Sequence, residues 1–421
     1  MNRHPILSTL AREGVRLGIS RLKAFLEFLN PHILEQPCIH VAGTNGKGSV
    51  CRLLEAMLHE EGYEVGLFTS PHLQNINERV RIGYQDISDD ELNRLLQSTQ
   101  KKAVEWAQEY DIPSENPLTY FEMMTAVALI AFWEAKVDVA ILEVGLGGRL
   151  DATNIVSPLA TAIVSIDYDH MDILGPDLAS IASEKAGIIK KSTPVILGSI
   201  PQEAFRAIRL IADSQGAPIF TLQEEFFVKI FPEGTFSWQG LGASYLSLQL
   251  QLNGEHQIHN AAVALALLTS IHDRLAISTA AIRAGLQKAS NPGRLEWLNP
   301  SLLLDCAHNP AGAARLAQYL QDLDRRGRNL TLVLGASNDK DIRSIAMLLS
   351  VQADRILATH CSHPRAMPDV EIERIVSGNI PTYAIGAVED IRHHINFEKE
   401  IVVVAGSVFL VGAVRELYSS V

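Results

Sequence analysis

The chain has 421 residues, 47% hydrophobic and 20% charged, with a net charge of −12. This is the profile of a globular protein of two or three well-cored domains rather than a disordered chain. The acidic balance argues against any general affinity for nucleic acid or anionic membrane.

The first twenty residues are broken by Arg3, Arg12, Glu13 and Arg16 and hold no apolar signal core. From Cys38 to about residue 198, short apolar strands alternate with amphipathic helices, which predicts a parallel α/β sheet. The strands are expected at 38–42, 65–69, 137–144, 161–166 and 194–197, and the helices at 48–61, 88–110, 120–136 and 178–188. The longest apolar run, Met123 to Trp133, is too short for a membrane span of ~20 residues and reads as a buried helix. Residues 220–252 mix Thr, Ser, Tyr and Phe with glycine turns, a β-rich pattern, and helices follow at 259–270 and 278–289. Asn291-Pro292-Gly293 and Asn299-Pro300 then break the chain, which places a linker near 292–300. Beyond it the alternation restarts as a second, smaller α/β domain, with strands expected at 302–305, 330–334, 355–359, 382–385 and 401–405.

The most informative segment is His40-Val41-Ala42-Gly43-Thr44-Asn45-Gly46-Lys47-Gly48-Ser49-Val50. An apolar strand runs into a glycine turn and then a helix, the arrangement that aims backbone N–H groups at a phosphate. Lys47 adds a mobile charge, and Ser49 a hydroxyl for a phosphate-bound Mg²⁺. The spacing departs from the usual phosphate-loop pattern, since Val41 stands where its first glycine belongs and Gly48 separates lysine from serine. Ligands of parallel sheets bind at the carboxyl ends of strands. Glu143, ending one strand before a glycine-rich turn, suits a Mg²⁺–nucleotide site. His170, beside Asp167 and Asp169 at another strand end, is a candidate metal ligand or phosphate contact as well as a candidate structural histidine. Ser70-Pro71-His72 follows a third strand. Asp305 and His308 end a strand of the second domain, where Asn309 and Pro310 equally fit a helix cap and first helical position. The cysteines (38, 51, 306 and 361) form no C-x-x-C pair, so buried, reduced thiols in a cytoplasmic protein are expected.

Taken together and in order, HVAGTNGKGSV (40–50), TSPHL (69–73), LTYFE (118–122), EVGLGGRLDATN (143–154), DHMDILG (169–175), EKAGIIK (184–190), HNAA (259–262), PGRLE (292–296), DCAHNP (305–310), HPRAMP (363–368) and Gly406-Ser407 resemble the bacterial dihydrofolate synthase/folylpolyglutamate synthase family, relatives of the cell-wall amino-acid ligases. The resemblance spans the whole chain. It implies a P-loop-containing parallel-sheet ATPase domain, 1–295, that carries the pterin site, and a smaller Rossmann-like glutamate-ligase domain, 296–421. It implies an ATP-dependent ligase that adds L-glutamate to dihydropteroate and to reduced folates through an acyl phosphate, the alternative being folylpolyglutamate synthesis alone. Thr44, Asn45, Gly46, Lys47, Gly48 and Ser49 would hold the ATP phosphates, and Asn260, Arg294 and Asp305 would touch the nucleotide. Ser49, Ser70, Glu143, His170 and Lys185 would bind Mg²⁺, with Lys185 open to carbamylation. Leu17, Gly18, Leu118, Thr119, Tyr120, Phe121, Arg149, Leu150 and Asp151 would form the pterin site. His308 and Ser407 would serve glutamate, and Lys47, Lys185 and His308 would act in catalysis. Such a protein is expected to be a cytoplasmic monomer without nucleic-acid or membrane partners.

Overall fold

A computed structural model of the chain describes residues 4–11, 16–112, 116–378 and 380–419. It divides into two compact units, Met1–Gln251 with Gln257–Ser290, and Leu252–His256 with Asn291–Val421.

The first unit is built on eight strands: β1 (Cys38–Ala42), β2 (Val65–Phe68), β3 (Val80–Ile82), β4 (Gln85–Asp86), β5 (Val139–Glu143), β6 (Ala160–Ser165), β7 (Val195–Ser199) and β8 (Ile219–Thr221). They lie in the order β4-β3-β2-β5-β1-β6-β7-β8. All pairs are parallel except β2–β3 and β3–β4. Every residue of β1 and β5 is buried, as expected for central parallel strands covered on both faces. Because β1 sits between β5 and β6, its carboxyl end opens at the place where the chain switches direction across the sheet, the usual ligand crevice of such folds.

The helices of this unit are α1 (Pro5–Leu10), α2 (Ser20–Leu29), α3 (Lys47–Glu61), α4 (Asp89–Glu109), α5 (Tyr120–Ala135), α6 (Met171–Leu174), α7 (Leu178–Ala186), α8 (Gln202–Gln215), α9 (Glu255–Ser270) and α10 (Thr279–Lys288), the first two residues of α9 belonging to the second unit. Helix α3 starts straight from the glycine turn and stops at Gly62 in the left-handed conformation. Helix α5 opens on a capping box of Thr119 and Glu122 and is buried from Glu122 to Phe132, in keeping with its apolar sequence. No helix among the described residues is long and apolar enough to cross a membrane. The β-rich segment is an antiparallel meander, β9 (Phe226–Ile230), β10 (Phe236–Gly240) and β11 (Ala243–Leu248). Buried Trp238 donates from its indole nitrogen to the Ala262 carbonyl at 3.2 Å and so ties the meander to α9.

The second unit carries β12 (Glu296–Asn299), β13 (Leu302–Leu304), β14 (Asn329–Leu334), β15 (Arg355–His360), β16 (Thr382–Ala387) and β17 (Glu400–Ala405). Their order is β12-β13-β17-β14-β15-β16, parallel throughout apart from the β12–β13 pair. Helices α11 (Pro310–Gln321), α12 (Ile342–Ser350), α13 (Asp369–Val376) and α14 (Val408–Ser419) complete it.

Several features depart from the sequence expectation, helices α1 and α2 before the first expected strand among them. Asn299-Pro300 is no linker: it is the turn of the β12–β13 hairpin, where a proline needs no ladder N–H. The β3–β4 hairpin gave no strand signal because its strands are three and two residues long. Helix α8 was missed although Ala204, Ile208 and Ala212 mark its buried face at four-residue spacing.

Helix α3 is held from behind by α10, where an added Cβ on Gly285 would stand 2.5 Å from the Met57 Cα. Gly285→Val is therefore expected to lower unfolding stability by about 1–3 kcal/mol, the usual range for overpacking. Denaturant melts of the two proteins check this, with equal midpoints counting against it.

Candidate functional site

The glycine turn is braced by β6. Thr44 donates its N–H to the Ser165 carbonyl at 2.9 Å, and its hydroxyl reaches the Asp167 carbonyl at 3.2 Å. The Ser165 hydroxyl accepts from the Asn45 N–H at 2.9 Å and donates to the Asn45 carbonyl at 3.0 Å. Gly46 has φ of +85°, and a Cβ there would stand 2.6 Å from Oδ1 of Asn260, so only glycine fits the bend. The same contact brings Asn260 to the turn. Helix α3 then begins at Lys47 without a side-chain cap, so its first N–H groups face the loop. Gly48 and buried Ser49 occupy that first turn.

Two ammonium groups converge here. Lys47 Nζ donates to the carbonyls of Gly43 at 3.0 Å and Thr44 at 3.3 Å, and Lys185 Nζ donates to the same Gly43 carbonyl at 3.1 Å. Lys185 is 4% exposed. Burial, and then the neighbouring Lys47 charge, bring its pKa down to about 7, against the opposing pull of Asp169 and Asp151.

The candidate metal ligands come from neighbouring strand ends. Glu143 pairs in register with Val41, two residues before the turn, and its Oε2 accepts the Ser70 N–H at 2.9 Å. Ser70 follows β2 and precedes Pro71 through a cis peptide bond. His170 has left-handed backbone, with φ of +50°, and its side chain is exposed beside Asp169. Among the described residues no three His, Cys, Asp or Glu side chains gather into a metal cluster. The donors present are chiefly oxygens, a carboxylate and two serine hydroxyls, which fit Mg²⁺ in a site completed by phosphate oxygens and water.

The expected pterin residues line a second part of the same edge. Gly18 donates its N–H to the Leu150 carbonyl at 3.4 Å, which places exposed Leu17 beside the 149–151 segment. Leu118 and Thr119 are buried, while half-buried Tyr120 and Phe121 open α5. Phe121 packs onto Gly145, where a Cβ would meet the ring at 2.5 Å. Arg149 is half-exposed and pairs with Glu184 at 2.7 Å. Asp151 is buried and shapes the turn: Oδ2 accepts from the N–H groups of Gly145 at 3.1 Å and Leu146 at 2.9 Å. Its Oδ1 accepts from Thr153, whose hydroxyl also bonds His40 Nε2 at 2.8 Å. Burial pushes the His40 pKa down to about 3, so this imidazole is neutral and structural.

Within the second unit, Asp305 accepts from Leu295 N–H at 2.9 Å and Ala307 N–H at 2.8 Å. Burial raises its pKa and the Arg294 charge lowers it, which sets Arg294 near the carboxylate. Asn309 caps α11 through the Gly312 N–H at 2.8 Å, with Pro310 at its first turn. His308 Nδ1 lies 2.9 Å from the Cys306 carbonyl. Buried Ser407 follows Gly406, whose N–H donates to the Ala307 carbonyl at 2.9 Å, so the 305–308 and 406–407 turns are neighbours.

Sequence reading missed three contributors. Ser165 looked like an ordinary strand residue, and only pairing of β1 with β6 puts it on the loop. Thr153 was one letter in a motif until His40 and Asp151 met on it. Arg79 lies outside every quoted motif, yet it is buried and donates from Nε to His72 Nδ1 at 2.9 Å.

Residues 41–268 match the Mur ligase middle domain, and residues 294–417 match the dihydrofolate synthetase C-terminal domain. The Bacillus subtilis dihydrofolate synthase/folylpolyglutamate synthase is 36% identical, over 96% of this chain and 95% of the relative. The structure of Escherichia coli FolC in complex with DHPP and ADP superimposes with a TM-score of 0.89 at 32% identity, covering 99% of this chain and 98% of that one. A bifunctional folylpolyglutamate synthase/dihydrofolate synthase with Mn, AMPPNP and L-glutamate bound gives a TM-score of 0.87 at 34% identity, with 99% and 98% covered.

The buried lysine has a measurable signature. Between about 7 and its ordinary 10.5, Lys185 is protonated only in the unfolded chain, so unfolding takes up a proton and stability rises with pH across that window. Lys185→Met is expected to flatten this rise in CO₂-free buffer. Chemical denaturation at a series of pH values checks it, and an unchanged slope would contradict the burial argument.

Proposed function

The chain belongs to the dihydrofolate synthase/folylpolyglutamate synthase family, and we propose from its own residues how it carries out that family's ATP-dependent ligation. It adds L-glutamate to dihydropteroate, forming dihydrofolate, and to reduced folates, forming folylpolyglutamates. The single observation that carries the residue assignment is the convergence of Lys47 and Lys185 on the Gly43 carbonyl at the uncapped start of α3. The Lys47 charge and the uncapped N–H groups of the helix start, in a protein of net charge −12, suit a triphosphate.

In this reading Thr44, Asn45, Gly46, Gly48 and Ser49 form the phosphate cradle, the uncapped N–H groups at the start of α3 facing the phosphates, and Lys47 follows the charge that develops on the transferred phosphoryl group. The acceptor carboxylate attacks that group, the bond to the β-phosphate oxygen breaks, ADP leaves and an acyl phosphate remains. The glutamate amine then attacks the activated carbonyl and expels phosphate. Ser49, Ser70, Glu143 and His170 would hold Mg²⁺, which when bound supplies charge neutralisation for the phosphates. Tyr120, Phe121, Arg149 and the turn shaped by Asp151 receive the pterin, with Leu17 and Gly18 alongside. Leu118, Thr119 and Leu150 set the backbone of that site. Asn260, Arg294 and Asp305 serve the nucleotide, His308 and Ser407 the glutamate. In this reading residues 296–421 are the glutamate-ligase domain. The protein works as a cytoplasmic monomer, a setting that suits its four buried free cysteines.

Lys185 is the proposed carbamate. A carbamate forms when a neutral amine adds CO₂, and a pKa of about 7 leaves a large neutral fraction at physiological pH. The product is anionic, so the repulsion from Lys47 becomes attraction, and the new oxygens can join the metal's ligands.

Release of ADP that requires both an acceptor and L-glutamate tests the function directly. Dihydropteroate and tetrahydrofolate, offered separately, should each gain glutamate by mass spectrometry. Glu143→Ala should fold normally yet lose at least about a hundredfold in turnover, the scale for removing one electrostatic anchor; near-normal turnover removes the metal assignment. Lys185→Ala should be crippled and partly restored by short carboxylates such as acetate. Wild-type behaviour without them would contradict the carbamate.

A further inference from the structure

Arg79 is a buried cation whose neighbours do not neutralise it. Its side chain is 8% exposed, and its Nε donates to His72 Nδ1 at 2.9 Å. Neither Nη nitrogen has a hydrogen-bond partner among the described residues, and no carboxylate forms an ion pair with it there. The nearest acids are committed elsewhere. Glu78 spends its carboxylate on the backbone N–H groups of Leu73, Gln74 and Asn75 at 2.7–2.9 Å. Glu143 accepts from the Ser70 N–H. A buried, unpaired guanidinium is costly, and its planar fork of donors matches a carboxylate.

Its position says which carboxylate. The Arg79 carbonyl accepts the Thr69 N–H at 3.0 Å, one residue before Ser70, so it sits beside the proposed metal ligands. The guanidinium carbon lies 5.5 Å from the centre of the Tyr120 ring. Phe121 packs 5.8 Å from Phe68 and covers Gly145. Burial lowers the Arg79 pKa, while Tyr120, Glu143 and Glu78, close by but not paired with it, raise it. An aromatic shelf thus leads to a cation beside the site of phosphoryl transfer.

We propose that Arg79 binds the carboxylate of the acceptor, the group that is to be phosphorylated, and holds it toward the phosphate loop. This rests on the ligase reading above and adds a substrate-binding residue to it. His72, hydrogen-bonded to Nε, positions the guanidinium. Arg79 thereby also selects for an acid: an acceptor carrying a neutral amide at the same place leaves the guanidinium unpaired.

The test compares 7,8-dihydropteroate with its carboxamide by isothermal titration, in wild type and in Arg79→Gln. Wild type should prefer the acid by on the order of 10- to 100-fold, the range for a charged hydrogen-bonded pair. Arg79→Gln should level the two affinities and raise the acceptor KM, leaving the ATP KM unchanged. Arg79→Lys should restore part of the preference. Retention of the full preference by Arg79→Gln, or a loss that falls on ATP instead, overturns the proposal. A crystal of wild type with dihydropteroate decides independently of whether the variant folds: the carboxylate within hydrogen-bond reach of Nη supports it, and a carboxylate seated elsewhere refutes it. Failure of the ligase reading itself would show as absent turnover in wild type, whereas failure of the Arg79 assignment leaves wild-type turnover intact.

Discussion

Lys47 and Lys185 donate to one backbone carbonyl, that of Gly43, and the first unit is organised around keeping two amines at that point. Lys47 arrives from the first turn of α3, and Lys185 from the last turn of α7, on opposite sides of the central strand in sequence. Their mutual repulsion and the burial of Lys185 are unfavourable in isolation. The packing of the sheet and its helices holds the two amines together against both.

The surrounding geometry follows from strand order. Placing β1 between β5 and β6 sets Glu143 on one side of the turn and Ser165 on the other. Glu143 carries the carboxylate, and Ser165 ties down the loop backbone that would otherwise have unpaired groups. The β2 end contributes Ser70 to the same carboxylate. Three strand ends therefore fix three kinds of donor within one rigid frame, which is how a parallel sheet holds loops to catalytic tolerance.

Much of this was visible in the sequence, for identifiable reasons. The glycine turn, Glu143 and the helices around them are local signals: apolar runs, periodicity and Gly-Lys-Gly-Ser chemistry. The cap at Asn309 was legible for the same reason. What escaped depended on tertiary pairing. Ser165 acts only because β6 lies against β1, and the neutrality of His40 follows from complete burial, which no spacing reveals. Arg79 sits in a run, Asn77-Glu78-Arg79-Val80-Arg81, that reads as surface charge; the fold buries Arg79 and leaves Arg81 to pair with Glu55. Asn299-Pro300 misled because a proline break marks a hairpin turn as readily as an interdomain segment.

Gly148 lies so close to α7 that an added Cβ would stand 2.7 Å from the Lys185 carbonyl and 2.8 Å from that of Glu184. The turn that meets one reactant and the helix end that carries the buried amine are thus in backbone contact, with no side chain between to cushion them. A displacement of either is transmitted to the other undiminished. A side chain at position 148 would force this seam apart, whereas side chains at the rim can change shape without shifting it.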